Sequence, residues 1–157
     1  MKIERSNVKH PLWRKKVDSS MWGHNVTTIP NWACKMWDID SLFGGVTSKK
    51  DEDSKITIKL GKKKWSGWVT VASKGRKTPA YRLWFDEDLT QELKQVFLMS
   101  YMRDIEDNIR GKYPTKIEDD IPFWEFLDIE FDSLNKQFIF VPHYTQKPTF
   151  PNLFNSI

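Results

Sequence analysis

Every second residue is apolar through Lys55–Leu60, where Lys-Ile-Thr-Ile-Lys-Leu predicts a strand with one buried and one wet face. Gly61-Lys62-Lys63 reads as a compact turn, and Lys64–Ala72 as the return strand carrying Trp65, Trp68, Val69 and Val71. Gly67 inside that strand predicts a bulge. Pro79–Phe85 is a further strand, with Tyr81 and Leu83 on one face and Arg82 and Trp84 on the other. Upstream, Leu12–Val17 is a short strand whose polar members are all cationic, and Ile29 returns the chain to the core. Pro30 then opens a brief helix, expected to bury Trp32, Met36 and Trp37. Asp38–Ser54 is expected to be a loop turning at Gly44-Gly45. After Asp86 the period changes: Leu89, Leu93, Phe97, Tyr101 and Ile105 recur every fourth residue, with Val96 broadening the stripe. That spacing predicts one long helix over Asp86–Arg110, capped by Asp86 or Asp88 and stopped by Gly111. Phe123–Phe131 and Gln137–Val141, joined around Ser133–Lys136, predict a final hairpin.

Short bent strands with two or more helices, over 157 residues, point to a mainly β chain and to an open β-barrel. The length suits a single domain over residues 1–157, with a core over about 11–142 and an irregular tail over 143–157. Cys34 stands alone, which excludes an internal disulfide and a cysteine-based zinc site and favours a reducing, cytoplasmic setting. No apolar run reaches membrane-spanning length, so no membrane partner is expected. The net charge of +4 conceals a strong asymmetry. Residues 1–85 hold 18 Lys and Arg against 7 Asp and Glu, a net of +11, whereas residues 86–157 hold 7 against 14, a net of −7. Such a split suggests a polyanion-facing surface built by the first half; a solvated lysine-rich face is the plainer alternative.

Catalytic patterns are sparse. His10, His24 and His143 lie far apart and none has a helical metal-binding spacing. Glu92-x-Lys94 falls on the predicted helix and reads as helix surface, while Asp128-x-Glu130-x-Asp132 puts three carboxylates on one strand face. No phosphate loop or nucleophile elbow occurs. No catalytic residue, metal ligand or cofactor is therefore expected. Nucleic-acid chemistry is better represented. A polar arm, Asp18–Thr28, lies between the first strand and Ile29, and a second, Ser73–Thr78, forms a hairpin tip. Arg14, Lys15, Lys16, Lys74, Arg76, Lys77 and Arg82 can neutralise phosphates. Asp18, Ser19, Ser20, His24, Asn25 and Thr27 supply donors and acceptors on the first arm, and Ser73, Gly75 and Thr78 shape the second. Trp22 either packs beneath its arm or touches DNA.

The run Leu12-Trp13-Arg14-Lys15-Lys16-Val17-Asp18-Ser19-Ser20, followed by Thr28-Ile29-Pro30-Asn31 and an aromatic-bearing short helix, resembles the opening of B3-type DNA-binding domains. Ile56–Leu60, Lys64-Trp65 and the arm before Tyr81-Arg82-Leu83 resemble that family's central hairpin. The resemblance covers about Pro11–Phe85, and its ordered set of motifs is more specific than any one of them. The long helix Asp86–Arg110 departs from the plant transcription-factor form and is similar to the branch attached to restriction endonucleases. The resemblance implies a pseudobarrel whose two arms grip the major groove like a wrench. It places the N-arm on Arg14–Thr28 and the C-arm on Ser73–Arg82, Tyr81 included. It also implies a recognition or effector domain of a bacterial or archaeal restriction system, binding double-stranded DNA beside a separate nuclease domain or subunit. Two other readings stand beside it: a small metal-dependent nuclease using Asp128, Glu130 and Asp132, and a basic protein-interaction domain.

Overall fold

The computed structural model describes residues 12–73, 75–110 and 125–143. The expected lead-in, the Gly111 stop and nearly all of the tail lie outside these residues, as do His10 and Lys74. Alternating stretches form seven strands: β1 (Leu12–Lys16), β2 (Val26–Ile29), β3 (Lys55–Leu60), β4 (Lys63–Ala72), β5 (Ala80–Phe85), β6 (Phe126–Asp132) and β7 (Gln137–His143). They make one curled sheet in the order β1-β6-β7-β3-β4-β5-β2, the expected mainly β, open-barrel architecture. All neighbours are antiparallel except β3 and β7, which run parallel from Thr57 opposite Gln137 to Leu60 opposite Phe140.

Apolar positions of the strands face inward. Tyr81, Leu83 and Phe85 of β5 are buried, while Ala80, Arg82 and Trp84 lie on the outer face, as the alternation predicts. An aromatic cluster fills one end: Trp37 packs at 5.9 Å from Phe138 and 6.0 Å from Phe131, with Trp13 at 6.3 Å. Edge-on and tilted ring contacts of this kind add to simple area burial.

Among the described residues, five α-helices pack around the sheet: α1 (Ser19–Gly23), α2 (Asn31–Met36), α3 (Ile39–Phe43), α4 (Glu87–Val96) and α5 (Leu98–Arg110). Here the structure departs from the expectations in three ways. Helix α2 turns Ala33 inward and leaves Trp32 54% exposed and Met36 outside the core. Asp38 then takes a left-handed conformation (φ 52°), and the expected loop becomes α3, whose Ile39 and Phe43 fill the core instead. The expected long helix is two helices, broken at Phe97 (φ −102°, ψ 50°). Glu125 explains the break: its carboxylate accepts from the Ser100 amide at 2.7 Å and the Ser100 hydroxyl at 2.9 Å. A partner 25 residues away thus satisfies an amide that the helix ladder would otherwise use. Asp86 caps α4 as expected, accepting from the Asp88 amide at 2.9 Å.

A further departure is at Gly67. No bulge forms; the register is unbroken, with Gly67 opposite Ile56 on one side and Phe85 on the other. Glycine is required for space. A Cβ there would lie 2.7 Å from the tips of Ile56 and Ile58 and 2.8 Å from the Trp84 carbonyl oxygen. Gly67→Ala should therefore destabilise the chain by about 1–3 kcal/mol through overpacking. Gly23→Ala, where a Cβ meets nothing within 4 Å, should stay within about 0.5 kcal/mol. Urea unfolding midpoints of the two variants measure the difference.

Candidate nucleic-acid interface

The N-arm, residues 18–25, is a helical turn rather than an open loop. Met21 and Trp22 point inward, and Trp22 packs 6.5 Å from Phe97 and 6.0 Å from Tyr101. The ambiguous tryptophan thus roots the arm on α5 and the end of α4. Asn25, in a left-handed conformation (φ 56°), accepts from the Phe85 amide at 2.7 Å and ties the arm to the end of β5. Ser19 and His24 are left exposed, whereas Thr27 is buried.

Two of the three cations of β1 have internal partners. Arg14 donates from Nε and Nη2 to the two Asp128 oxygens at 2.8 and 2.9 Å, and its guanidinium lies 4.2 Å from the Phe126 ring centroid. Bonding to Asp128 raises the Arg14 pKa further above its ordinary value. Lys15 donates to Asp18 at 2.7 Å, and the Ser20 hydroxyl donates to the other Asp18 oxygen at 2.7 Å. Partial burial pushes the Asp18 carboxyl up, but the bonds from Lys15 and Ser20 outweigh it and hold the group below its usual range. Lys16 is exposed and has no such partner among the described residues.

Of the C-arm, residues 73 and 75–79 are described, between the end of β4 and the start of β5. The Arg76 amide donates to the Ser73 carbonyl at 3.1 Å, and Gly75 adopts φ 73°, a turn geometry open to glycine. Ser73, Gly75, Arg76, Lys77 and Thr78 are all exposed. Tyr81 is buried, and its hydroxyl donates to the Asp40 carboxylate. Burial and that carboxylate push the phenol pKa up, so it remains a neutral donor.

Strand β5 sets the spacing of the two arms. The N-arm ends beside Phe85 and the C-arm leads into Ala80, so the arms stand at opposite ends of this six-residue strand. At about 3.4 Å per residue the separation is roughly 17 Å, comparable with a major groove about 12 Å wide plus its walls. Between them runs the outer face of the sheet, with Thr28, Arg82 and Thr70 in one row and Val26, Trp84, Trp68 and Lys55 in the next. Trp84 donates its indole N–H to Thr70 at 2.9 Å. Lys49, from the loop beside β4, lies 4.5 Å from the Trp84 ring centroid and 5.8 Å from that of Trp68. Its place on this face has no linear signal, because Lys49–Asp53 reads as an ordinary solvated charge run. Lys49, Lys55, Arg76, Lys77 and Arg82 have no carboxylate within ion-pair distance among the described residues.

The acidic strand is arranged differently. Both Asp128 oxygens are engaged by Arg14, and His143 Nε2 lies 2.9 Å from one of them. Asp132 accepts from the Leu134 amide and the Asn135 side chain in the hairpin turn. No cluster of three metal-capable side chains occurs among the described residues. Cys34 is half-buried, and burial pushes its thiol up to about 11, so the thiolate is scarcely populated near neutral pH.

This division of the cations predicts two kinds of variant. Arg14→Ala leaves Asp128, 5% exposed, without its fork and should cost about 1–3 kcal/mol of stability. Lys16→Ala should leave stability within about 0.5 kcal/mol. Urea denaturation followed by tryptophan fluorescence separates the two.

No helix among the described residues is long and apolar enough to cross a membrane. No protein-family model matches this chain, and no curated protein matches it.

Proposed function

We propose that this chain is a sequence-specific double-stranded DNA-binding module that reads the major groove with two arms. Its proposed setting is the recognition or effector part of a restriction system, with cleavage carried by a separate nuclease domain or subunit. One observation carries the reading. Two exposed polar arms stand at the ends of a single sheet face, and the cations of that face and of the C-arm have no carboxylate partners among the described residues. Unpaired cations on a rigid curved surface suit a phosphate backbone, and small hydroxyl and amide groups on short arms suit base edges.

The arms take unequal roles in this reading. Lys16, Arg76, Lys77 and Arg82 are the cations offered to DNA, because Arg14 and Lys15 are already committed to Asp128 and Asp18. Ser19, His24 and Asn25 are the base-reading candidates of the N-arm. Trp22, Thr27 and Tyr81 hold the arms from beneath.

Selection from a randomised duplex pool, followed by sequencing, gives the target site and tests the reading; retention without sequence preference would overturn it. With four such cations, a plot of log affinity against log salt should have a slope of about −4 or steeper. A flat plot would mean that the basic half does not face phosphate. On single-base-pair variants of the selected site, Arg76→Ala should lose about 1–3 kcal/mol of discrimination at one position. Lys16→Ala should weaken binding to every variant alike. A uniform loss for Arg76→Ala would assign it to the backbone, and no loss would remove the C-arm from the interface.

A further inference from the structure

We propose that Lys49, clamped over Trp84 and Trp68, is a separate phosphate-binding position on the sheet face between the arms, so that one DNA strand crosses β4 and β5 there. The inference rests on the DNA-binding reading above and adds a contact that neither arm supplies.

Three features of the site argue for an anion. Its backbone is fixed: the buried Ser54 hydroxyl lies 3.1 Å from the Lys49 carbonyl and 2.6 Å from the Asp51 carbonyl, and Val46 accepts from the Val71 amide of β4 at 2.7 Å. Its side chain is held by the two indoles, and Trp84 is itself held by its bond to Thr70. A lysine normally loses much rotamer freedom when it engages a partner, and a clamped one has lost part of it beforehand. Finally, its charge is uncommitted. Attraction to a π face uses none of the three ammonium N–H donors. In the same loop the Asp51 side chain accepts from the Asp53 amide at 2.9 Å, and neither it, Glu52 nor Asp53 lies within ion-pair distance of Lys49.

The neighbours extend the same chemistry. Lys55 stands opposite Trp68 across β3 and β4, and Arg82 lies two residues from Trp84 on the same face of β5. A stacked nucleobase is the other ligand that two half-exposed tryptophans could take. Lys49 decides between them, because its ammonium already lies over the Trp84 ring that a base would need.

The test uses the full chain on the duplex retained in the selection. Lys49→Gln should weaken binding several-fold, equally for the selected duplex and for its single-base-pair variants, and make the salt slope shallower by about one. Lys49→Arg should restore most of the loss. Unfolding midpoints of both variants should match the unaltered chain, since the Lys49 side chain is exposed. Trp84→Leu, which removes the clamp and keeps the cation, should fall between them in affinity. Unchanged affinity and slope for Lys49→Gln would overturn this inference and leave the two-arm reading standing. If Trp84→Leu instead weakens binding of an oligothymidine single strand while Lys49→Gln does not, the indoles stack bases and the inference fails. Absence of duplex binding by the unaltered chain, even at low salt, would overturn the reading and the inference together.

Discussion

The parallel pairing of β3 with β7 joins what would otherwise be two separate sheets. On one side of it lie β4, β5 and β2, which carry the arms and the cationic face; on the other lie β6 and β1. The ladder brings residues 57–60 against residues 137–140, and the Thr57 amide extends it by donating to the Lys136 carbonyl at 3.0 Å. Such a long-range pairing closes late and at a high entropic cost, so it needs a large apolar return. Phe138 and Phe140 supply that return beneath the ladder, with Phe140 5.8 Å from Phe85 and Phe138 4.5 Å from Phe131.

This closure also divides the charges. Wrapping β6 against β1 places Asp128 opposite Arg14, so the acidic second half of the chain neutralises part of the basic first half. The cations Lys49, Lys55 and Arg82 of the outer sheet face keep no such partner among the described residues. Among the described residues, Arg14 of one edge strand is thus paired with Asp128, while Lys49, Lys55 and Arg82 of one sheet face are left without a carboxylate. A positive face without internal counter-charges focuses potential toward a polyanion far better than the modest net charge suggests.

Rigidity is the second consequence. Both arms emerge from elements locked by packing: the N-arm by Trp22 and by the Asn25 bond to Phe85, the C-arm by the β4–β5 ladder at its base. In the proposed DNA-binding reading, arms held this way would lose little freedom on binding, which would favour discrimination among closely related duplexes. Gly67 serves the same end by letting β4 lie close over Ile56 and Ile58 beneath the face.

Much of this was legible in the residue pattern, and the parts that were not share one cause. Period-two alternation determined β3 and β5 and the two faces of β5, because a strand must send successive side chains to opposite sides whatever surrounds it. The Asp86 cap and the positions of the two arms were equally local decisions. The sequence did not reveal the break at Phe97, the role of Gly67, the helix at Ile39–Phe43 or the outward turn of Trp32. Each depends on groups brought from elsewhere in the chain: Glu125 to Ser100, the Trp84 carbonyl to Gly67, Phe131 to Phe43. The same holds for the cations. Arg14, Lys15, Lys16 and Lys49 look alike in the sequence; Lys15 pairs locally with Asp18 three residues on, but only tertiary proximity sets Arg14 against Asp128 and Lys49 over two tryptophans. Local sterics are written in neighbouring residues, whereas charge pairing acts through space and is settled only when the sheet curls.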